Sequence, residues 1–139
     1  MLECLVLGDS IAVGIHMSRP ECVSYSKVGI NTWQWNNKHL TKDLSAKTVI
    51  ISLGSNDHKG VKTRKELETM RQVVQGSKVF WILPAGNLKA GGVDIKDIQN
   101  IVRDIAQKNG DIVLPITKLQ PDGIHPSGDG YKELTKATK

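Results

Sequence analysis

A chain of 139 residues, 39% hydrophobic and 24% charged, holds one hydrophobic core and leaves no room for a second domain of ordinary size. That balance excludes a disordered or fibrous chain, and no apolar stretch approaches the ~20 residues of a membrane helix. The excess of 19 Lys and Arg over 14 Asp and Glu gives +5. The basic residues are scattered singly and in pairs, which fits a mild preference for anionic surroundings and argues against nucleic acid as a partner.

The chain opens with an apolar run, Leu2 to Leu7, that reads as a buried strand. Glu3 stands where an export signal carries positive charge, and the run is too short for a signal core. The expectation is a cytoplasmic protein, or one carried in a phage particle. Gly8-Asp9-Ser10 follows, then a helix from Ile11 that Ser10 is able to cap. Cys22 to Lys27 is the second strand. Cys4 and Cys22, the only cysteines, fall in neighbouring buried strands and read as free thiols acting as small apolar residues, with no disulfide framework.

After Gly29, the segment Asn31 to Leu44 reads as a helix carrying Trp33 and Trp35. Lying two apart, these cannot share a face. One belongs to the core and the other to a cleft, against a sugar ring or an acyl chain. Thr48 to Leu53 is the third strand, ending in Gly54-Ser55-Asn56-Asp57. Thr63 and Glu66 make a capping box for a helix that turns Leu67, Met70, Val73 and Val74 inward, stopped by Gly76-Ser77. Lys78 to Leu83 is the fourth strand. Ile95, Ile98, Ile101, Val102 and Ile105 form one apolar helical face ending at Asn109-Gly110. Asp111 to Ile116 is the fifth strand. Asp122-Gly123-Ile124-His125-Pro126 then leads to a last helix, capped by Ser127 and facing inward with Tyr131, Leu134 and Ala137.

Five alternations of strand and helix predict an α/β fold in which a parallel sheet lies between helical layers. In such a sheet the functional crevice lies beyond the carboxyl ends of the strands. Gly8-Asp9-Ser10, Gly29, Gly54 to Asp57 and Asp122 to His125 all fall on that edge. Together they supply the parts for hydrolysing an ester at serine: Ser10 as nucleophile, His125 as base, and Asp122, three residues away, to orient it. The N–H groups of Ser10 and Gly29 and the amide of Asn56 are the oxyanion donors. Asp9 and Asp57 hold their loops through backbone hydrogen bonds. Each motif alone has a plainer reading as a helix cap or a turn; their convergence on one edge favours the site. His16, His39, His58 and Asp57 lack helical metal-ligand spacing, and the loop after the first strand matches neither a P-loop nor a dinucleotide fingerprint. No metal or cofactor is expected.

In this order the four blocks resemble the SGNH, or GDSL-type, hydrolases, serine esterases and lipases on a flavodoxin-like α/β/α fold. The resemblance spans the chain, residues 1 to 139, as one such domain. It implies a five-stranded parallel sheet, Ser10 as nucleophile, Gly29 and Asn56 as oxyanion donors, His125 as base and Asp122 as its partner. The chain is shorter than is usual for the family, which implies trimmed loops and a shallow cleft suited to short acyl groups. Ala12 breaks the Gly-x-Ser-x-Gly elbow of the larger α/β-hydrolases, as the resemblance requires. The expected activity is removal of small acyl groups such as acetyl, with O-acetyl on carbohydrate as the substrate class. It should rise with pH as His125 gives up its proton. The alternative is a non-catalytic ligand-binding module on the same fold.

Overall fold

Strands covered on both faces need no polar alternation, and largely apolar, buried runs make the central ones here. The computed structural model describes residues 1–86 and 92–139. In it β1 (Leu2–Gly8), β2 (Val23–Ser26), β3 (Ala46–Ser52), β4 (Lys78–Ile82) and β5 (Ile112–Leu114) alternate with helices. These are α1 (Ser10–Ser18), α2 (Thr32–His39), α3 (Thr63–Val73), α4 (Ile95–Asn109) and α5 (Gly128–Ala137). The sheet order is β2-β1-β3-β4-β5, with every neighbouring pair parallel. This is the expected flavodoxin-like arrangement. The chain steps from β1 to β2 and then back across to β3, so the crevice opens at the carboxyl end of β1.

Side chains alternate across the sheet and build a core on each face. Leu5, Leu7, Val49, Ile51 and Trp81 meet Trp35 of α2, Leu67 and Met70 of α3, and Val102 and Ile105 of α4. On the opposite face Cys4, Val6, Ile50, Phe80 and Ile82 meet Ile11 and Ile15 of α1 and Leu134 of α5. Each large side chain so buried contributes about 1.5–3 kcal/mol. The helical layer on one face and that on the other complete the three-layer α/β/α arrangement.

Several local expectations need correction. The second helix stops at His39 rather than near Leu44, and Asn31 opens it in a reciprocal capping box with Gln34. Thr63 is not the cap of α3: it is the first helical residue, Lys62 precedes it, and no side chain caps the end. Its hydroxyl donates to Asp57 Oδ2, a buried carboxyl oxygen, at 2.5 Å. Val73 closes α3 at 42% exposure rather than facing inward, while Val74, just beyond the helix, is buried. Ala137 is likewise exposed, although Ser127 does cap α5 through the Gly130 N–H.

The reading of Cys4 and Cys22 as free thiols is overturned. Both are buried as expected, but they are joined by a disulfide. The parallel register that sets Leu5 opposite Val23 puts the two residues side by side, with Cα atoms 4.8 Å apart, inside bridging range. The bond closes a loop of 18 residues. Its removal in a Cys4→Ala/Cys22→Ala variant should lower the unfolding free energy by about 2–3 kcal/mol. Urea titration with and without a reductant checks this, and coincident curves would contradict it. Among the described residues no helix is long and apolar enough to cross a membrane.

Candidate active site

The turn after β1 is set by backbone contact with β3. Gly8 has φ +146°, and a Cβ placed on it would stand 1.8 Å from the Ser52 carbonyl oxygen. Only glycine fits there. The next N–H, that of Asp9, donates to the same carbonyl at 3.0 Å. Asp9, not Ser10, then caps α1, its carboxylate accepting from the Ile11 N–H at 3.0 Å. Ser10 becomes the first helical residue, with its hydroxyl released from capping.

That hydroxyl lies 2.9 Å from His125 Nε2, across 115 residues of sequence. On the other side of the ring, His125 Nδ1 is 2.8 Å from Asp122 Oδ2. Asp122 sits in a tight turn and accepts the N–H groups of Ile124 and His125 at 2.9 and 3.0 Å. The Ile124 N–H, then the His125 ring and N–H, hold its carboxyl down to about 2. An ionised carboxylate only accepts, so Nδ1 donates to it. In the neutral ring Nε2 then accepts from the Ser10 hydroxyl. The loop is held by Gln120, whose backbone N–H and side chain donate to the carbonyls of His125 and Pro126 at 2.8 and 3.0 Å.

On the loop after β2, Gly29 has φ +80° with open space where a Cβ would stand. Asn56 donates through Nδ2 to the Ile30 carbonyl at 3.1 Å, which binds the loops after β2 and β3 together. One N–H of that amide is thereby committed, and the second is available to a ligand. The Ser10 N–H belongs to the first turn of α1, where backbone donors have no helical partner and the helix end is electropositive.

Asp57 is buried and ties three elements: its carboxylate accepts from the Thr32 N–H at 2.9 Å, the Thr32 hydroxyl at 2.8 Å and the Thr63 hydroxyl. It thus holds the starts of α2 and α3 against its own loop. Asp9 is fully buried; Oδ1 also accepts from the Ser52 hydroxyl at 3.3 Å, while Oδ2 has no partner among the described residues. Burial pushes the Asp9 carboxyl up to about 6, against the lowering effect of its hydrogen bonds to Ile11 and Ser52. A carboxyl that holds its proton more tightly folded than unfolded stabilises the fold most below about pH 4, and that contribution falls as pH rises towards 6. The loss is about 3 kcal/mol at most. An Asp9→Asn variant should lack this decline, so its stability relative to the parent should rise between pH 4 and 7 in urea titrations. A constant difference would contradict the assignment.

Of the two tryptophans, Trp35 is the core residue: it is fully buried and donates through Nε1 to the Tyr25 carbonyl at 2.9 Å. It is therefore withdrawn from substrate contact. Trp33 is 57% exposed and lines a groove between α2 and α3. The histidines outside the Ser10 cluster do not converge. His16 contacts the Cys22 carbonyl, His39 stacks on Tyr25, and His58 lies in the loop before α3. Ser52, Thr32 and Thr63 escaped the sequence reading. Their partners lie 43, 25 and 6 residues away, and only Thr63 had a local signal, which pointed to a cap.

No protein-family model and no curated protein sequence matches the chain. Solved structures do match it. The catalytic domain of peptidoglycan O-acetyltransferase A from Streptococcus pneumoniae, solved with a methylsulfonyl adduct, superposes with a TM-score of 0.70 over 98% of this chain and 91% of that one, at 14% identity. A GDSL-like lipase from Bacteroides thetaiotaomicron gives 0.69 over 97% and 84%, at 17% identity. An acetylxylan esterase from Geobacillus stearothermophilus gives 0.61 over 97% and 91%, at 16% identity. The chain has the SGNH hydrolase fold.

Proposed function

We propose that this chain is an SGNH-type serine esterase that removes short acyl groups, acetyl first among them, from hydroxyls of a carbohydrate. The observation that carries the reading is the hydrogen-bonded series Ser10, His125 and Asp122, at 2.9 and 2.8 Å, on the carboxyl edge of the sheet. In the first step Ser10 Oγ attacks the ester carbonyl while His125 Nε2 takes its proton, and Asp122 balances the imidazolium. The N–H groups of Ser10 and Gly29 and the Asn56 amide receive the oxyanion. His125 then returns the proton to the leaving alkoxide, which departs as an alcohol. Water repeats the sequence on the acyl-serine, freeing the acid and restoring the serine. No cofactor enters these steps.

Short acyl groups suit a site at the surface. The His125 and Asp122 side chains are 36% and 42% exposed, so the reacting groups lie at the surface rather than at the bottom of a deep apolar channel. The similar structures named for acetylxylan and peptidoglycan O-acetyl chemistry support the same class. The Cys4–Cys22 bond supports residence in an oxidising compartment in place of the cytoplasmic expectation. The test is a comparison of acetyl, butyryl and octanoyl p-nitrophenyl esters. The acetyl ester should have the highest kcat/KM, with an initial burst from the acyl-serine. Fastest turnover of the octanoyl ester would overturn the short-chain assignment, and no turnover of any ester would favour the non-catalytic module.

A further inference from the structure

Two hollows flank the first turns of α2. One, about 610 Å³, lies between α2 and α3, where Trp33, Asn37, His58, Lys62 and Lys65 form much of its wall. The other, about 320 Å³, is lined by Lys27, Val28, Gly29, Gln34 and Lys38. The second opens beside a proposed oxyanion donor, and the first is reached through the same loops. Gly29 is part of the second wall, and the first includes Asn31 and His58, neighbours in sequence of the Gly29 and Asn56 loops. Lys27, Lys38, Lys62 and Lys65 have no acidic partner among the ion pairs of the described residues. Glu66 is the one acid in either wall.

Lys27 and Lys38 share one wall, and Lys62 and Lys65 share the other. Lys27, foremost, holds the Lys38 ammonium below its ordinary range, with Lys42 adding to the effect. An anion bound between them would relieve that repulsion. Beside this charge, Trp33 presents its indole at 57% exposure, a flat apolar face next to the exposed amide of Asn37. An aromatic face with neighbouring amides suits a sugar ring, which offers axial C–H groups to the face and hydroxyls to the amides.

We propose that these hollows bind a carboxylate-bearing glycan, a uronate-type polymer, with a sugar ring on Trp33 and its carboxylates between the lysine pairs. The delivery of its acyl ester to Ser10 rests on the esterase reading; the binding itself does not. Such a ligand supplies negative charge at regular intervals, which is what two lysine pairs on either side of one aromatic residue can engage. It also accounts for a chain that carries +5 without a continuous basic stripe.

The experiment is calorimetric titration of the Ser10→Ala chain, in which no ester turnover intervenes, with a short oligogalacturonate and with a neutral xylo-oligosaccharide of equal length. The oligogalacturonate should bind at low salt, weaken as salt screens the charges, and lose about tenfold in affinity, about 1.4 kcal/mol, in a Lys27→Gln/Lys38→Gln variant. Trp33→Ala should weaken it comparably, by about tenfold. Circular dichroism confirms that each variant is folded. Equal affinity for the neutral sugar, or unchanged affinity in both variants, overturns the proposal. So does tighter binding of single-stranded DNA or of phosphatidylserine vesicles. Failure of the esterase reading would appear separately, as an inert parent chain towards p-nitrophenyl acetate with uronate binding intact.

Discussion

Replacing Ser10 by alanine should lower kcat/KM for p-nitrophenyl acetate by about 10³-fold or more, about 4 kcal/mol of transition-state stabilisation. The burst should vanish with it, because no acyl-serine can form. The effect is large because the variant removes the attacking atom while leaving the oxyanion donors, which alone retain only residual catalysis. Stability should hardly change. Ser10 is not the cap of α1; Asp9 is, and its bond to the Ile11 N–H survives the substitution. A His125→Ala change made on top of Ser10→Ala should cost little further, since the two act as one unit. Equal turnover by the parent and Ser10→Ala chains would mean that some other surface group cleaves the ester.

The largest structural effect is expected at Gly8. A methyl there would lie 1.8 Å from the Ser52 carbonyl oxygen, and the φ of +146° is one that residues with a Cβ rarely adopt. The obstacle is backbone, and both strands involved are central in the sheet, so neither can move aside cheaply. Gly8→Ala should therefore cost about 4 kcal/mol or more, enough to unfold a chain of ordinary stability. Where the variant does fold, Ser10 should lose its alignment with His125, and activity should fall even in the folded fraction. Gly29→Ala is the informative contrast. Its Cβ meets nothing within 4 Å, so only the strain of a positive φ remains, on the order of 1–2 kcal/mol. Urea titrations of both variants against the parent would separate these cases, and a Gly8→Ala chain as stable as Gly29→Ala would contradict the close-packing argument.

The centre of the sheet was legible because its strands are buried on both faces. Runs such as Leu5 to Leu7 and Val49 to Ile51 have no polar alternation to blur them, and Ile95 to Ile105 keeps a clean helical period. The candidate site was legible for a different reason: the fold class names one edge of the sheet, and four short motifs fell on it. What escaped depended on tertiary contacts or on which of two adjacent residues takes a cap. Thr63 looked like a cap until Asp57, brought against it by the loop after β3, took its hydroxyl. Ser10 looked like a cap for the same local reasons, although its neighbour Asp9 performs that role. The pairing of Cys4 with Cys22 required the register of β1 against β2, which strand identity alone does not determine. Of the two tryptophans, spacing required different faces but did not say which was buried; Trp35 lies in the core because the Tyr25 carbonyl and the sheet meet its side of α2.

The most direct measurement of the central claim is covalent. Phenylmethylsulfonyl fluoride reacts with a serine whose hydroxyl is activated by a neighbouring base, the chemistry proposed for Ser10 beside His125. Incubated with the folded chain, it should attach one equivalent to the peptide containing Ser10, read by mass spectrometry, with ester hydrolysis lost in step and no labelling of a His125→Ala variant. A chain that keeps its activity unlabelled, or carries the label on another residue while activity falls, would contradict Ser10 as the nucleophile.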